Sequence, residues 1–379
     1  MNDDEFPVDG ASRQVEAVTM FLLGRLDGAL RYCPQPVQRI FAGRMLRRAM
    51  IAALRQEGHA FTDARFQTWF AGLSTLSDPP ARHARSPRAV CEAILAEMSH
   101  GTWPLLADIA ARIRPALRAP LDLDADRARQ DALDVTAQAR SIIERCMNSG
   151  IASPLDALRT LHGEIASSPL FAPSAQAPAL LKVGQRQVNL ERPSACSPRW
   201  ALEMLFGEWL RAQDVLPCAL PLPDIVRLDT LGTNAPDAAR ALRAAALESA
   251  LRDLLTCLGE SARSESQCRS ILEHRSTSRA PAAFELLAGF GAMRSSQIET
   301  MLGASRLGVR GMLASLQDSG LVVRLKISGA YMFDAPHIST EAGPVHRDEE
   351  QPAFSSAALD EYAASLSALD RLLGIEDSA

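Results

Sequence analysis

From Val15 onward the apolar positions Val18, Leu22 and Leu26 recur at the spacing of one helical face, and Ile40, Phe41, Met45, Ala49 and Ala53 repeat that pattern in the next segment. Two amphipathic helices are predicted there. Ser-Pro pairs punctuate the chain at Ser86-Pro87, Ser153-Pro154 and Ser197-Pro198. A serine cap before a proline, whose missing N–H is harmless in the first turn, marks a helix start. Further helices are predicted over about 87–100, ended by Gly101, over 103–117, over 124–148, ended by Gly150, and over 154–165. Between Ser167 and Pro198 the periodicity fails while Pro169, Pro173, Pro178, Pro193 and Pro198 accumulate. That density excludes one regular element and leaves a linker or an irregular docked arm. Helix resumes at Trp200–Arg211, breaks at Pro217, Pro221 and Pro223, and runs again from about Pro236 to Leu258 and on toward His274.

From Ala280 the segments shorten: Ala282–Phe290, Ser295–Leu302, a turn at Gly303-Ala304, Ser305–Ser319, then β-like runs Leu321–Ile327 and Ala330–Phe333 joined at Ser328-Gly329. Helix, helix, sharp turn, helix and hairpin is the order of a winged helix-turn-helix. Ser295-Ser296 and Ser305 are placed to cap their helices, and Ile298, Leu302, Val309, Leu313 and Leu316 recur at core spacing. With those turned inward, Arg306, Leu307, Arg310 and Gly311 face outward near the start of the third helix, where a recognition helix offers side chains to a major groove. Arg324 and Lys326 before the hairpin tip and Tyr331 after it suit a wing laid on phosphates or a minor groove. With Arg294 ahead of the second helix, these residues form the candidate contact set for double-stranded DNA. Arg275 and Arg279, just upstream, strengthen it if they share the face. The balance over Ala280–Ala335 is modest, with Arg294, Arg306, Arg310, Arg324 and Lys326 against Glu285, Glu299, Asp318 and Asp334. Winged helices also serve as protein–protein adaptors, so a non-DNA role stays open.

The fold class expected is mainly α, a multi-helical body with a C-terminal winged helix-turn-helix. Its divisions are an N-terminal helical domain (1–166), a Pro-rich linker or docked arm (167–198), a central helical domain (199–278), the winged helix-turn-helix (279–336), and an acidic connector with a C-terminal helix (337–379). The last carries Leu359, Tyr362, Leu366, Leu369 and Leu373 at alternating spacings of three and four, about two heptads. Docking onto the body, dimerisation and fraying are all compatible with so short a stripe. A homodimer is also suggested by the need to double a small DNA footprint.

Composition narrows the function classes. At 379 residues with 47% apolar content the chain can bury a sizeable core, which excludes disorder over most of it. A formal net charge of -5 excludes a basic field over the whole chain, so any DNA contact must be local. Lys182 and Lys326 are the only lysines. The arginine excess fits phosphate or base recognition, and fits better the coding habit of a GC-rich genome. Seven cysteines at 33, 91, 146, 196, 218, 257 and 268 include no C-x-x-C pair and read as buried thiols of a reducing compartment. The acidic start Met-Asn-Asp-Asp-Glu is unlike a signal peptide, and the early apolar run Val18 to Leu23 is far short of a membrane span. A cytoplasmic protein without membrane association is expected.

No catalytic residue, metal or cofactor is assigned. Gly289-Phe290-Gly291 follows a helix and lacks the third glycine of a dinucleotide loop, and no P-loop, His-Glu-x-x-His or Gly-x-Ser-x-Gly occurs. Cys257, Cys268 and His274 match no zinc spacing. Arg44, Arg48 and Arg55, at spacings of four and seven, read as a second phosphate-binding stripe or as a solvated face paired with acids. An enzyme of unrecognised type, with a site near Trp200, Trp209 and the Pro217–Pro223 loop, is a further alternative.

The stretch Ser295-Ser-Gln-Ile-Glu-Thr-Met-Leu-Gly-Ala-Ser-Arg-Leu-Gly-Val-Arg, followed by Leu316 and Gly320-Leu321, resembles the small helix-turn-helix module at the end of a family of often plasmid-borne bacterial proteins that carry a central domain of unknown function. The N-terminal region is reminiscent of the non-catalytic part of Fic-type proteins, through Arg25-Leu26-Asp27-Gly28, Arg44 and Glu57-Gly58, although Arg48-Ala49 stands where that pattern has an acidic residue before the alanine. Fic enzymes need a histidine base beside a glycine-rich anion loop, and none of His59, His83, His100, His162, His274, His337 and His346 begins one. The resemblance implies a DNA-binding transcriptional or plasmid-associated regulator. Its alternative is a non-catalytic adaptor related to Fic-type systems.

Overall fold

The computed structural model describes residues 8–75, 84–121, 124–151, 153–172, 179–183, 186–190, 197–231, 235–272 and 279–336. Its helices are α1 (Val8–Arg31), α2 (Gln35–Gln56), α3 (Asp63–Phe70), α4 (Pro87–Ser99), α5 (Pro104–Ile113), α6 (Ala125–Asn148), α7 (Pro154–Ser167), α8 (Trp200–Ala212), α9 (Leu228–Leu231), α10 (Pro236–Leu272), α11 (Ala280–Phe290), α12 (Ser295–Leu302) and α13 (Arg306–Asp318). Two antiparallel hairpins complete it, β1 (Ala179–Val183) with β2 (Arg186–Leu190) and β3 (Val323–Ile327) with β4 (Ala330–Asp334). The protein is mainly helical, and among the described residues no helix is long and apolar enough to cross a membrane. The leucine stripe at 359–373 and the acidic connector lie outside the described residues.

Local chemistry explains most element ends. The Ser86 hydroxyl accepts the Ala89 N–H at 3.4 Å ahead of Pro87, whereas Ser153 makes no such cap and α7 starts on Pro154 alone. Ser197-Pro198 does not open a helix: α8 begins at Trp200, and the Ser197 hydroxyl instead donates to the Phe171 carbonyl at 3.0 Å. The helix expected to reach residue 117 stops at Ile113 and tightens into a 3-10 turn, Arg114–Ala116, because Pro115 has no N–H for the α ladder. Besides the four-residue α9, a helix and a hairpin escaped the periodicity. Helix α3 is short, but Thr62 caps it by accepting the Arg65 N–H at 3.2 Å, and Phe66, Trp69 and Phe70 fall on one face. The Pro-rich arm contains the β1–β2 hairpin, paired from Ala179↔Leu190 to Val183↔Arg186.

Packing joins sequence-distant helices. Helix α1 lies along α10, where the Thr19 hydroxyl donates to Ala244 O at 3.2 Å and Arg240 pairs with Glu16. Helix α2 is clasped between α10 and α11. Gly43 of α2 meets Gly289 of α11 so closely that a Cβ on Gly43 would stand 3.1 Å from the Gly289 backbone, and one on Gly289 would stand 3.0 Å from Ile40 O. Beside this crossing Phe290 enters an aromatic cluster with Phe66 and Phe70, its centroid 4.9 Å from that of Phe70. Most buried apolar side chains from Leu22 to Ala335 form one continuous cluster, and Ala71, Ala292 and Met332 form a second, small one.

The three arginines expected to share a face do not form a phosphate stripe. Arg44 is buried, 5% exposed, and its guanidinium donates to Ala288 O, Glu260 and Ser264 at 2.9, 2.7 and 3.1 Å. Arg48 pairs with Asp253 at 2.9 Å and Arg55 donates to Phe61 O at 2.7 Å. Arg44 serves helix packing, whereas Arg48 stays solvated and paired with an acid, as the alternative reading had it, and exposed Arg55 closes on the loop after its own helix. Of the other singled-out positions, Asp27 pairs with Arg31, and Glu57, fully buried, accepts from Arg85 and from Trp200 Nε1 at 2.8 Å. Cys257 and Cys268 are buried in α10, and burial pushes their thiols up to about 11 and about 12. His274 lies outside the described residues.

Candidate nucleic-acid interface

The segment 280–334 runs α11, α12, a Gly303 turn, α13 and the β3–β4 hairpin. Gly303 sits at φ +55°, a left-handed value that costs glycine least, and this lets the chain reverse between α12 and α13. Ser305 caps α13 by accepting the Gly308 N–H at 3.2 Å. Val309, Leu313 and Leu316 are buried, so the 3.6-residue repeat turns Ser305, Arg306, Leu307, Gly308, Arg310 and Gly311 to solvent. At the hairpin tip Ser328 and Gly329 have φ of +49° and +78°, the two positive values of a two-residue turn that fixes strand register.

On the hairpin, Lys326 pairs across to Tyr331 and Arg324 to Phe333, which puts Arg324, Lys326 and Tyr331 on one face. The Arg324 guanidinium lies 3.4 Å from the Tyr331 ring centroid and is thereby held in place. The opposite face seats Met332 against Ala71 and Ala292, which rests the hairpin on the segment after α3. Among the described residues Arg306, Arg310 and Lys326 have no acidic partner, unlike Arg39, Arg48 or Arg88, each closed on a carboxylate. Glu285, one of the four acids that offset the positive charge of this segment, is neutralised by Arg39 at 2.7 Å.

The start of α12 departs from expectation. Neither Ser295 nor Ser296 caps it; the Gln297 side-chain oxygen accepts the Arg294 N–H at 3.0 Å, and Gln297 Nε2 donates to Ala116 O at 2.8 Å. Gln297 is fully buried and ties α12 to the 3-10 turn. The Arg294 side chain turns toward Ala71 O at 3.5 Å, while Ser296 stays exposed and Ser295 half-buried. Arg279 is taken up by Leu302 O at 3.1 Å, and Arg275 lies outside the described residues. One cation missed in the sequence arrives from the body: Arg118 Nη2 lies 3.4 Å from Thr300 Oγ1 on the exposed face of α12. Its 182-residue separation from Thr300 leaves no local signal.

No grouping of three or more His, Cys, Asp or Glu side chains able to hold a metal occurs among the described residues. Trp200, Trp209, Leu216, Leu220 and Leu222 are buried, while the end of the Pro217–Pro223 loop borders a cavity of about 510 Å³ with Arg44, Arg48 and Asp253 on its walls. No protein-family model matches the chain, and no curated protein matches it.

Proposed function

We propose that the protein is a non-catalytic DNA-binding regulator and that 280–334 acts as a winged helix-turn-helix, with α13 as recognition helix and the β3–β4 hairpin as wing. The reading rests on one observation: Arg306, Arg310 and Lys326 stand solvent-facing without acidic partners on α13 and the hairpin, in a chain of net negative charge. Unpaired guanidinium groups at the start of an exposed helix are suited to bidentate contact with guanine edges or phosphates. Arg324, held on Tyr331, and Lys326 supply backbone contacts beside them.

A fluorescence-anisotropy titration of the purified protein against the region upstream of its own gene and a scrambled duplex, at two salt concentrations, tests this. Selective binding that weakens with salt is expected. Replacing Arg306 and Arg310 with Ala should cost about tenfold or more in affinity for the selected duplex and lower the salt slope by about 1 for each phosphate no longer neutralised. Undiminished selectivity in the double variant would remove α13 from the role.

One feature favours a second reading, a protein adaptor. Leu307 of α13 is 80% exposed, and Leu325 and Tyr331 of the hairpin are exposed as well. Equal, weak binding to both duplexes together with a stable protein partner on co-purification would select the adaptor.

A further inference from the structure

A cavity of about 590 Å³ opens between the body and the C-terminal helices, walled by α2, α5, α11 and the end of α12. That volume lies in the range of small-molecule sites. Leu105, with the edges of Ile109, Leu286 and Phe290, supplies apolar patches in a lining that is about half polar. Its charged lining groups are largely self-satisfied. Arg39 meets both oxygens of Glu285 at 2.7 and 3.1 Å, and Arg112 meets both oxygens of Asp108 at 3.0 and 2.9 Å. Arg279 remains: it spends Nη2 on the Leu302 carbonyl, and among the lining residues no carboxylate is left to balance it.

We infer that this cavity binds a small monocarboxylate with an apolar ring or chain. The apolar patches take the hydrocarbon body, and the one unbalanced guanidinium, with Nε and Nη1 to offer, takes the single negative charge. A dianion finds no second free cation on these walls, and a neutral molecule forgoes the charge-assisted hydrogen bonds that Arg279 can give. The cavity is also placed to regulate. Leu302 is the last residue of α12 and its carbonyl precedes the Gly303 turn into α13, so a carboxylate held by Nε and Nη1 fixes the guanidinium whose Nη2 anchors that turn. This regulatory part rests on the DNA-binding reading; the binding site does not.

Isothermal calorimetry of the full chain with 2-naphthoate and decanoate, and with 2-naphthol and 1-decanol as neutral counterparts, tests the site without DNA. Saturable binding of a carboxylate, weakened about tenfold or more in the neutral counterpart and in Arg279→Gln, is expected. Ala282→Trp, which fills the cavity from a half-buried position on α11, should abolish binding while circular dichroism stays unchanged. Absence of binding by every probe, or equal binding by Arg279→Gln, overturns the site. Binding that leaves DNA affinity unchanged at saturating carboxylate overturns the regulation alone, and a chain that binds the carboxylate but no duplex overturns the DNA-binding reading and the regulation with it.

Discussion

His162 and Glu203 are buried titratable groups with opposite consequences for stability. His162 donates Nδ1–H to Leu158 O at 2.7 Å while Nε2 has no partner, and burial holds the imidazole down at about 4. The unfolded chain therefore takes up a proton that the folded one refuses, and stability falls as pH drops from 6.5 toward 4. Glu203 is pushed up to about 7 by burial, with the Asp224 charge adding to it, although Gln56 and the Asp224 and Val226 amides all donate to its oxygens. Here the folded chain keeps the proton, and stability falls as pH rises from 4.5 toward 7. Each contribution is about 1.4 kcal/mol per pH unit at most. Urea melts at pH 4.5, 5.5 and 6.5 should show the two nearly cancelling in the parent protein. His162→Leu should acquire a downward slope with rising pH relative to the parent, and Glu203→Gln an upward one. At this scale little was legible in the sequence. Arg44 and Arg48 look alike there, yet Arg44 is buried because its partners Ala288 and Glu260 lie more than 200 residues away. Leu307 and Arg310 were legible as outward positions, since Val309 and Leu313 two or three residues on fix the inward face.

Glycines separate helices that touch from helices that face solvent. On a helix, Gly→Ala gains about 1 kcal/mol when nothing crowds the new methyl. Gly311 of α13 has no atom within 4 Å of its Cβ position, so Gly311→Ala should raise stability by about that amount, read from the urea midpoint. Gly43 and Gly289 face each other's helix at 3.0–3.1 Å, where a methyl must push α2 from α11; Gly289→Ala should lower stability by about 1–3 kcal/mol despite its better helix propensity. Equal effects at the two sites would dismiss the crossing as a constraint. Helices whose ends carry caps or prolines and whose apolar spacing is long, such as α4, α6 and α10, follow from sequence. Helix α3 has a signal in Thr62-Asp63 and its aromatic spacing, but only eight residues of it. The β1–β2 hairpin is hidden because prolines flank two five-residue strands too short for a period to register.

Across the described molecule, Phe290, Arg44, Gln67 and Gln297 fasten α11 and α12 to α2, α3 and the 3-10 turn. All four tryptophans, 69, 103, 200 and 209, precede α10, so their fluorescence is weighted toward the helices before it. Hydrogen exchange of amides in α12 and α13 reports the other end. With one dominant core, the two probes should give coincident denaturant transitions, and a difference in unfolding free energy beyond about 0.5 kcal/mol would show separate unfolding. The sequence shows where segments end but not that they share a core, because Gly43 and Gly289 announce a contact only when seen together.

That glycine seam has an implication for handling the protein in pieces. Cutting after α10 would strip α2 of its cover at Ile40 and Gly43 and unroof Phe66 and Phe70, while a fragment beginning at Arg279 would leave Phe284, Leu287 and Phe290 bare to water. Neither half is complete without the other. The C-terminal helices cannot be lifted out and grafted onto another scaffold, as portable recognition cassettes can, without carrying their bed along.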